Sequence, residues 1–228
     1  MARIISIEST SQTCSVALAE NDKLIALKET SGNNHSVVLT QFILDVLNEV
    51  GLKSTDLDAV AVSKGPGSYT GLRIGVSAAK GLCYSLDIPL IAVDTLYALA
   101  LSVRDLYPEC FICPMIDARR MEVYTALYDS DMNTMLDVHA KIIDESSFQD
   151  CLSSNKIVFL GSGAPKTNNV IKSPNAIFDL SHDLSAKNII STAYQRFTDK
   201  KFENIAYFEP FYLKEFVTKK PVVKALRY

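Results

Sequence analysis

Displacing the chain by 109 positions lays its second half on its first without a gap. Ile7-Glu8 falls on Ile116-Asp117, Ser15-Val16-Ala17-Leu18 on Tyr124-Thr125-Ala126-Leu127, and Asn21-Asp22 on Ser130-Asp131. Each copy opens with a short apolar run ending in a carboxylate, turns, and adds two more strand-like runs, the third over 24–29 and 134–138. Later in each copy an apolar run enters Gly-x-Gly: Val60-Ala61-Val62 before Gly65-Pro66-Gly67, and Ile157 to Leu160 before Gly161-Ser162-Gly163. A strand meander followed by strand–helix alternation, used twice, predicts two mixed α/β lobes facing each other across a cleft.

That is the plan of two tandem RNase H-like lobes, as in the actin, sugar kinase and Hsp70 superfamily. A length of 228 residues suits two units of about 100 residues each. The first lobe is expected over 1–106, with helices at 34–50, 70–86 and 95–106, and Pro108 marks the crossover. The second is expected over 107–208, with a Pro/Ser/Asn-rich stretch at 173–185. It closes on a helix opened by Ser185 that carries Ile189, Ile190, Ala193, Tyr194 and Phe197. Residues 209–228 form a basic tail: Lys214, Lys219, Lys220, Lys224 and Arg227 against Glu215. It reads as solvated chain, with a contact to RNA or an acidic partner as the alternative.

A net charge of −3 excludes a surface that grips nucleic acid all over. Glu8 interrupts any apolar leader and no apolar run reaches 18 residues, so the expected setting is the cytoplasm, away from membranes. The five cysteines are scattered, and the Cys110-x-x-Cys113 pair lies in an apolar strand-like run, which reads as buried free thiols.

The turn from Gly65 to Gly71 joins a strand to a helix, a geometry that gathers backbone N–H groups into an anion cradle. Glu8, Ser9, Thr10, Gly65, Gly67, Asp117 and Arg119 would make up a vestigial nucleotide or phosphate loop. Glu8 stands where an aspartate would suit a metal better, and Asp117 is followed by Ala118-Arg119-Arg120 in place of glycines. Arg119 and Arg120 read as lobe-bridging ion pairs, or as groups that attract a phosphate. His35, His139 and His182 do not pair at helical spacing, so no metal or cofactor is expected, and His35 reads as a helix-start residue with a polar contact. Ser68 sits outside a Gly-x-Ser-x-Gly elbow. No catalytic residue is assigned.

The first two helices carry more information. On the first, Leu39, Phe42, Ile43, Val46, Leu47 and Val50 make the core face, while Val37, Thr40, Gln41, Leu44 and Asn48 fall opposite. On the second, Thr70, Arg73, Ile74, Ser77, Ala78 and Gly81 lie away from the inward Leu72, Val76, Ala79 and Cys83. Small and apolar residues there predict a flat patch against which another helix packs, unless a further segment of the same chain covers it.

Several motifs carry a family resemblance: Ile7-Glu8-Ser9-Thr10-Ser11, Asn34-His35-Ser36, the run Gly65-Pro66-Gly67-Ser68-Tyr69-Thr70-Gly71-Leu72-Arg73-Ile74-Gly75, and Val93-Asp94-Thr95-Leu96. With Asp117 to Tyr124 and Glu209-Pro210-Phe211-Tyr212-Leu213, the chain resembles the TsaB (YeaZ) family. Val37 departs from the Glu usual after His-Ser there. The resemblance implies a non-catalytic scaffold in the machinery that adds threonylcarbamoyl to the adenosine beside the anticodon of certain tRNAs. It implies a TsaD-type catalytic partner of like fold, a TsaE-type ATPase, tRNA met only through the complex, and self-pairing when the partner is absent. The rival readings are a nucleotide-dependent phosphotransferase or ATPase and, further off, a metalloprotease.

Overall fold

Alternation in β1 (Arg3–Glu8) puts Ile5 and Ile7 on one face and Ile4, Ser6 and Glu8 on the other, and all five are buried. A strand buried on both faces belongs at the centre of a layered sheet. In the computed structural model, which describes residues 1–32 and 34–214, it does. β1 pairs antiparallel with β2 (Thr13–Glu20), from Arg3↔Glu20 to Glu8↔Ser15, and parallel with β4 (Ala59–Gly65). With β3 (Lys23–Ser31) and β5 (Leu90–Asp94) the order is β3-β2-β1-β4-β5. The second sheet repeats it as β8-β7-β6-β9-β10, from β6 (Phe111–Asp117), β7 (Glu122–Tyr128), β8 (Thr134–Ile142), β9 (Ile157–Leu160) and β10 (Ala176–Asp179). The duplicated RNase H-like architecture expected from the internal repeat is present.

The short β10 falls inside the Pro/Ser/Asn-rich stretch, where sequence gave no strand. Four residues are too few to show a period, and the strand is held by partners: parallel pairing to β9 and Phe178 stacked on Phe159 with centroids 5.1 Å apart.

The outer face of the first sheet is covered by α1 (His35–Glu49) and α2 (Tyr69–Leu86). Leu39, Ile43, Val46 and Leu47 from α1 join Val76, Ala79 and Cys83 from α2 over Ile5, Ile7, Val16, Val60 and Val62. Each such Val, Leu or Ile contributes roughly 1.5–3 kcal/mol on leaving water. α2 stops where Asp87 adopts a left-handed conformation (φ 54°) and returns its N–H to Cys83 O.

The helices between the sheets are exchanged. α3 (Thr95–Leu101) ends the first half, yet Leu96, Leu99 and Ala100 pack on Ile112, Ile116, Ala126 and Leu160 of the second sheet. The helical stretch expected to reach 106 breaks after Leu101 and resumes as a single 3-10 turn, Arg104–Leu106. The helix expected from Ser185 starts as a 3-10 turn, Ala186–Ile189, and continues as α6 (Ile190–Thr198). Its Ala193, Tyr194 and Phe197, with Ile189, cover Ile4, Ala59, Ala61, Ile91 and Val93 of the first sheet.

Beyond α6 the chain returns along the first lobe. Glu203 N donates to Leu90 O at the free edge of β5 (2.9 Å), Ile205 and Phe208 pack on the outer core, and Phe211 N donates to Lys64 O (2.7 Å). Residues 209–214 are thus bound chain. Lys219, Lys220, Lys224 and Arg227, on which the basic tail rests, lie outside the described residues.

Candidate docking face and interlobe cleft

The glycine turn is built by its neighbour. The turn after β1 runs directly over the start of α2: a Cβ on Gly71 would collide with Ser9 O, one on Gly75 with Ser9 Oγ, and one on Gly67 would sit 2.5 Å from Thr10 Cβ. Ser9 Oγ donates to Gly71 O (2.8 Å), and Ser68 N donates to Thr10 O (2.7 Å). The spacing that reads as an anion cradle in sequence is here a close approach of two backbones. Gly65, at φ 119° and with Phe211 O 2.5 Å from the place of a Cβ, is covered by the returning C-terminal segment.

Glu8 is fully buried. Its Oε1 accepts from Thr10 N (2.6 Å) and from Thr10 Oγ1, and its Oε2 accepts from Ser63 Oγ. Burial, opposed by those hydrogen bonds, holds this carboxyl above the ordinary carboxylate value. Glu8 and Ser9 therefore hold the turn together from inside, contrary to their expected place in a phosphate loop.

Between the lobes lies a cleft of about 920 Å3 whose lining includes Thr10, Gly67, Thr70, Asp117, Arg119 and Lys214. Of the expected loop residues, Thr10, Gly67, Asp117 and Arg119 meet there, while Glu8, Ser9 and Gly65 do not line it. Arg119 and Arg120 both take left-handed conformations (φ 72° and 51°) in the turn between β6 and β7. Neither makes the expected lobe-bridging ion pair among the described residues. The nearby carboxylates are already taken: Asp117 by Lys166, and Glu122 by Lys214, so the bridge to the second lobe comes from the C-terminal segment.

The imidazoles lie apart. His35 opens α1 with Nε2 2.9 Å from Ser11 O, His139 Nδ1 meets Asp137 O, and His182 Nδ1 meets Asp179 Oδ2. Among the described residues no three of His, Cys, Asp and Glu could hold one metal ion. The cysteines are free thiols; Cys110 and Cys113 are buried, and burial pushes the Cys113 thiol up to about 12. No helix among the described residues is long and apolar enough to cross a membrane.

The outer face of α1 and α2 is open. Val37 is 75% exposed and Leu44 49%, with Thr40, Gln41 and Asn48 exposed beside them. On α2, Thr70, Arg73, Ser77 and Gly81 are exposed, whereas Ile74 and Ala78 are half-buried because they also pack on the outer core. A Cβ on Gly81 would meet no atom of the described residues within 4 Å. Sequence reasoning missed Tyr84, 84% exposed and three residues beyond Gly81 on the same arc. Continuing the helical projection one more turn would have found it. It also missed the tilted contact of Tyr69 with Tyr212 (centroids 4.8 Å), which joins residues far apart in the chain.

Comparison with known proteins fits this geometry. A family model described as tRNA N6-adenosine threonylcarbamoyltransferase (TsaD) matches residues 27–222. The tRNA threonylcarbamoyladenosine biosynthesis protein TsaB of Escherichia coli (strain K12) is 30% identical over 221 residues, covering 93% of this chain and 94% of that protein. The chain belongs to the TsaB family. The TsaB protein of Bacillus subtilis (strain 168) is 44% identical over 126 residues, a match spanning 55% of this chain and 54% of that protein. The structure of YeaZ from Pseudomonas aeruginosa superposes with a TM-score of 0.81 at 24% identity, covering 93% of this chain and all of that one, and so shares the TsaB fold seen here.

Proposed function

We infer that this chain is a non-catalytic docking subunit in tRNA threonylcarbamoyladenosine formation, seated on a TsaD-type transferase of like fold through the outer face of α1 and α2. The observation that carries the reading is the uncovered ridge of Val37, Leu44, Ser77, Gly81 and Tyr84 on the first lobe. A glycine inside an exposed helix costs about 0.8–1 kcal/mol against alanine. At Gly81 nothing among the described residues requires that cost, which fits a partner backbone that approaches closely. A paired helical face of this kind buries about 1,200–2,000 Å2 in total.

The cleft supports the non-catalytic half of the reading. Glu8 and Ser9 spend their polar groups on the fold, and Asp117 is held by Lys166. Docking would act on the partner by favouring one of its conformations through contacts that differ between them. The same face would let the chain pair with itself when the partner is absent. A TsaE-type ATPase completes the proposed assembly, which meets tRNA through the transferase and works in the cytoplasm.

The test is reconstitution from purified components. Threonylcarbamoyl transfer to tRNA is expected to rise when this chain is added to the transferase and ATPase, while the chain alone turns over no ATP. Undiminished transfer without the chain, or ATP turnover by the chain alone, would overturn the reading.

A further inference from the structure

The docking face has one pre-set cation at its border. Arg73 sits over the Tyr69 ring, with its guanidinium carbon 4.8 Å from the centroid, and Tyr69 in turn packs on Tyr212 with the rings tilted by 36°. Tyr212 is fixed by the returning segment, through Phe211 N to Lys64 O and Lys80 Nζ to Phe208 O (3.0 Å). Lys80 thus already donates to the fold. Arg73 is exposed and makes no ion pair among the described residues, although Glu209 lines the same 350 Å3 groove between α2 and the segment. A guanidinium held by stacking keeps its hydrogen-bonding fork free and loses little entropy when a carboxylate arrives.

The two helices add little acid of their own near Arg73, and the exposed Glu209 belongs to the returning segment. Asp45 accepts from Gln41 (2.8 Å), Glu49 pairs with Lys28 (2.6 Å), and α2 contains no acidic residue. A second copy laid α2 on α2 would bring only neutral and cationic groups of that helix to Arg73. The geometry points to Arg73 as the receptor for an acidic side chain on the docked transferase subunit, held ready by Tyr69 and Tyr212. This carboxylate contact selects the unlike partner over a second copy. The inference rests on the docking reading above, and its test separates the two.

Affinity for the purified transferase subunit is measured by calorimetry, and self-association by sedimentation, at low and high salt. Arg73→Gln is expected to weaken partner binding about 30-fold or more and to leave self-association within about twofold. Arg73→Lys keeps the charge but loses the fork, and should lie between with a steeper salt dependence. Tyr212→Phe keeps the stack and binds like wild type, while Tyr212→Ser weakens binding several-fold. Ala78→Arg is the control on the face itself. If Ala78→Arg abolishes binding but Arg73→Gln binds within twofold of wild type, the carboxylate contact is wrong and the docking face stands. If both variants bind normally, both ideas fall. Equal loss of partner binding and self-association in Arg73→Gln overturns the selectivity.

Discussion

The two sheets share one strand order but are roofed differently. The outer face of the first carries α1 and α2, 15 and 18 residues long. The equivalent face of the second carries only α4 (Gln149–Leu152) and α5 (Ala164–Thr167), four residues each. Its core is filled largely from outside regular helices: Ile143, Phe148 and Ile171, with Leu152 of α4, close over Phe159, and Phe159 lies between Phe148 and Phe178 at 5.5 and 5.1 Å. The same sheet can thus be covered by long regular helices or by short turns and apolar side chains from the segments between them. The helical roof alone presents a long ridge that another helix can follow, so an interface built on one lobe has no counterpart on the other.

The turns beneath the two roofs give the sharpest contrast. In the first lobe the turn is locked backbone to backbone, so Gly71→Ala should destabilise the chain by about 3 kcal/mol or more, or prevent folding. In the second, a Cβ on Gly163 meets side-chain atoms, Met115 Cβ and Val123 Cγ1, each at 2.9 Å, and Gly163→Ala should cost about 1–2 kcal/mol. Urea unfolding of both variants checks the difference, and equal costs would erase it. Next in size, Leu44→Asp on the first roof should weaken transferase binding by roughly 100-fold with the melting temperature almost unchanged. The exposed Gln149→Arg on the second roof should leave affinity untouched. Similar losses from both would mean that the partner does not distinguish the lobes.

Gly81→Ala tests the ridge by opposite signs. The isolated chain should gain about 0.8–1 kcal/mol, while partner binding weakens by about tenfold. A gain in both would show that nothing approaches Gly81 closely. The smallest effect concerns Glu8. Its carboxyl is raised in the fold above 4.5, so its contribution is greatest below that value and is lost as pH climbs through the folded value. Glu8→Gln does not titrate, so its stability relative to wild type should improve as pH rises from about 4.5 through the raised folded value. Denaturant titrations across that range provide the measurement, and a flat difference would argue against a raised Glu8.

Much of this contrast was legible in the residues. The 109-residue displacement matches β1 to β6 and β2 to β7, because strand pairs joined by short turns keep their spacing. The core and outer faces of α1 follow from 3.6-residue periodicity, and Val37 and Leu44 are exposed where that projection puts them. What stayed hidden depends on contacts distant in sequence. The repeated small residues from Gly67 to Gly75 look the same whether they wrap an anion or make room for Ser9 and Thr10. The exchange of α3 and α6 depends on which sheet's inner face lies within reach. The clamp on Arg73 joins Tyr69 to Tyr212, and no local pattern reports such a pairing.

That exchange makes each lobe depend on the other for its interior. Neither half of the sequence holds a complete core by itself: Ile91 and Val93 need Ala193 and Phe197, and Ile112 and Ile116 need Leu96 and Leu99. A fragment cut near Pro108 would expose a greasy sheet on each side and clump.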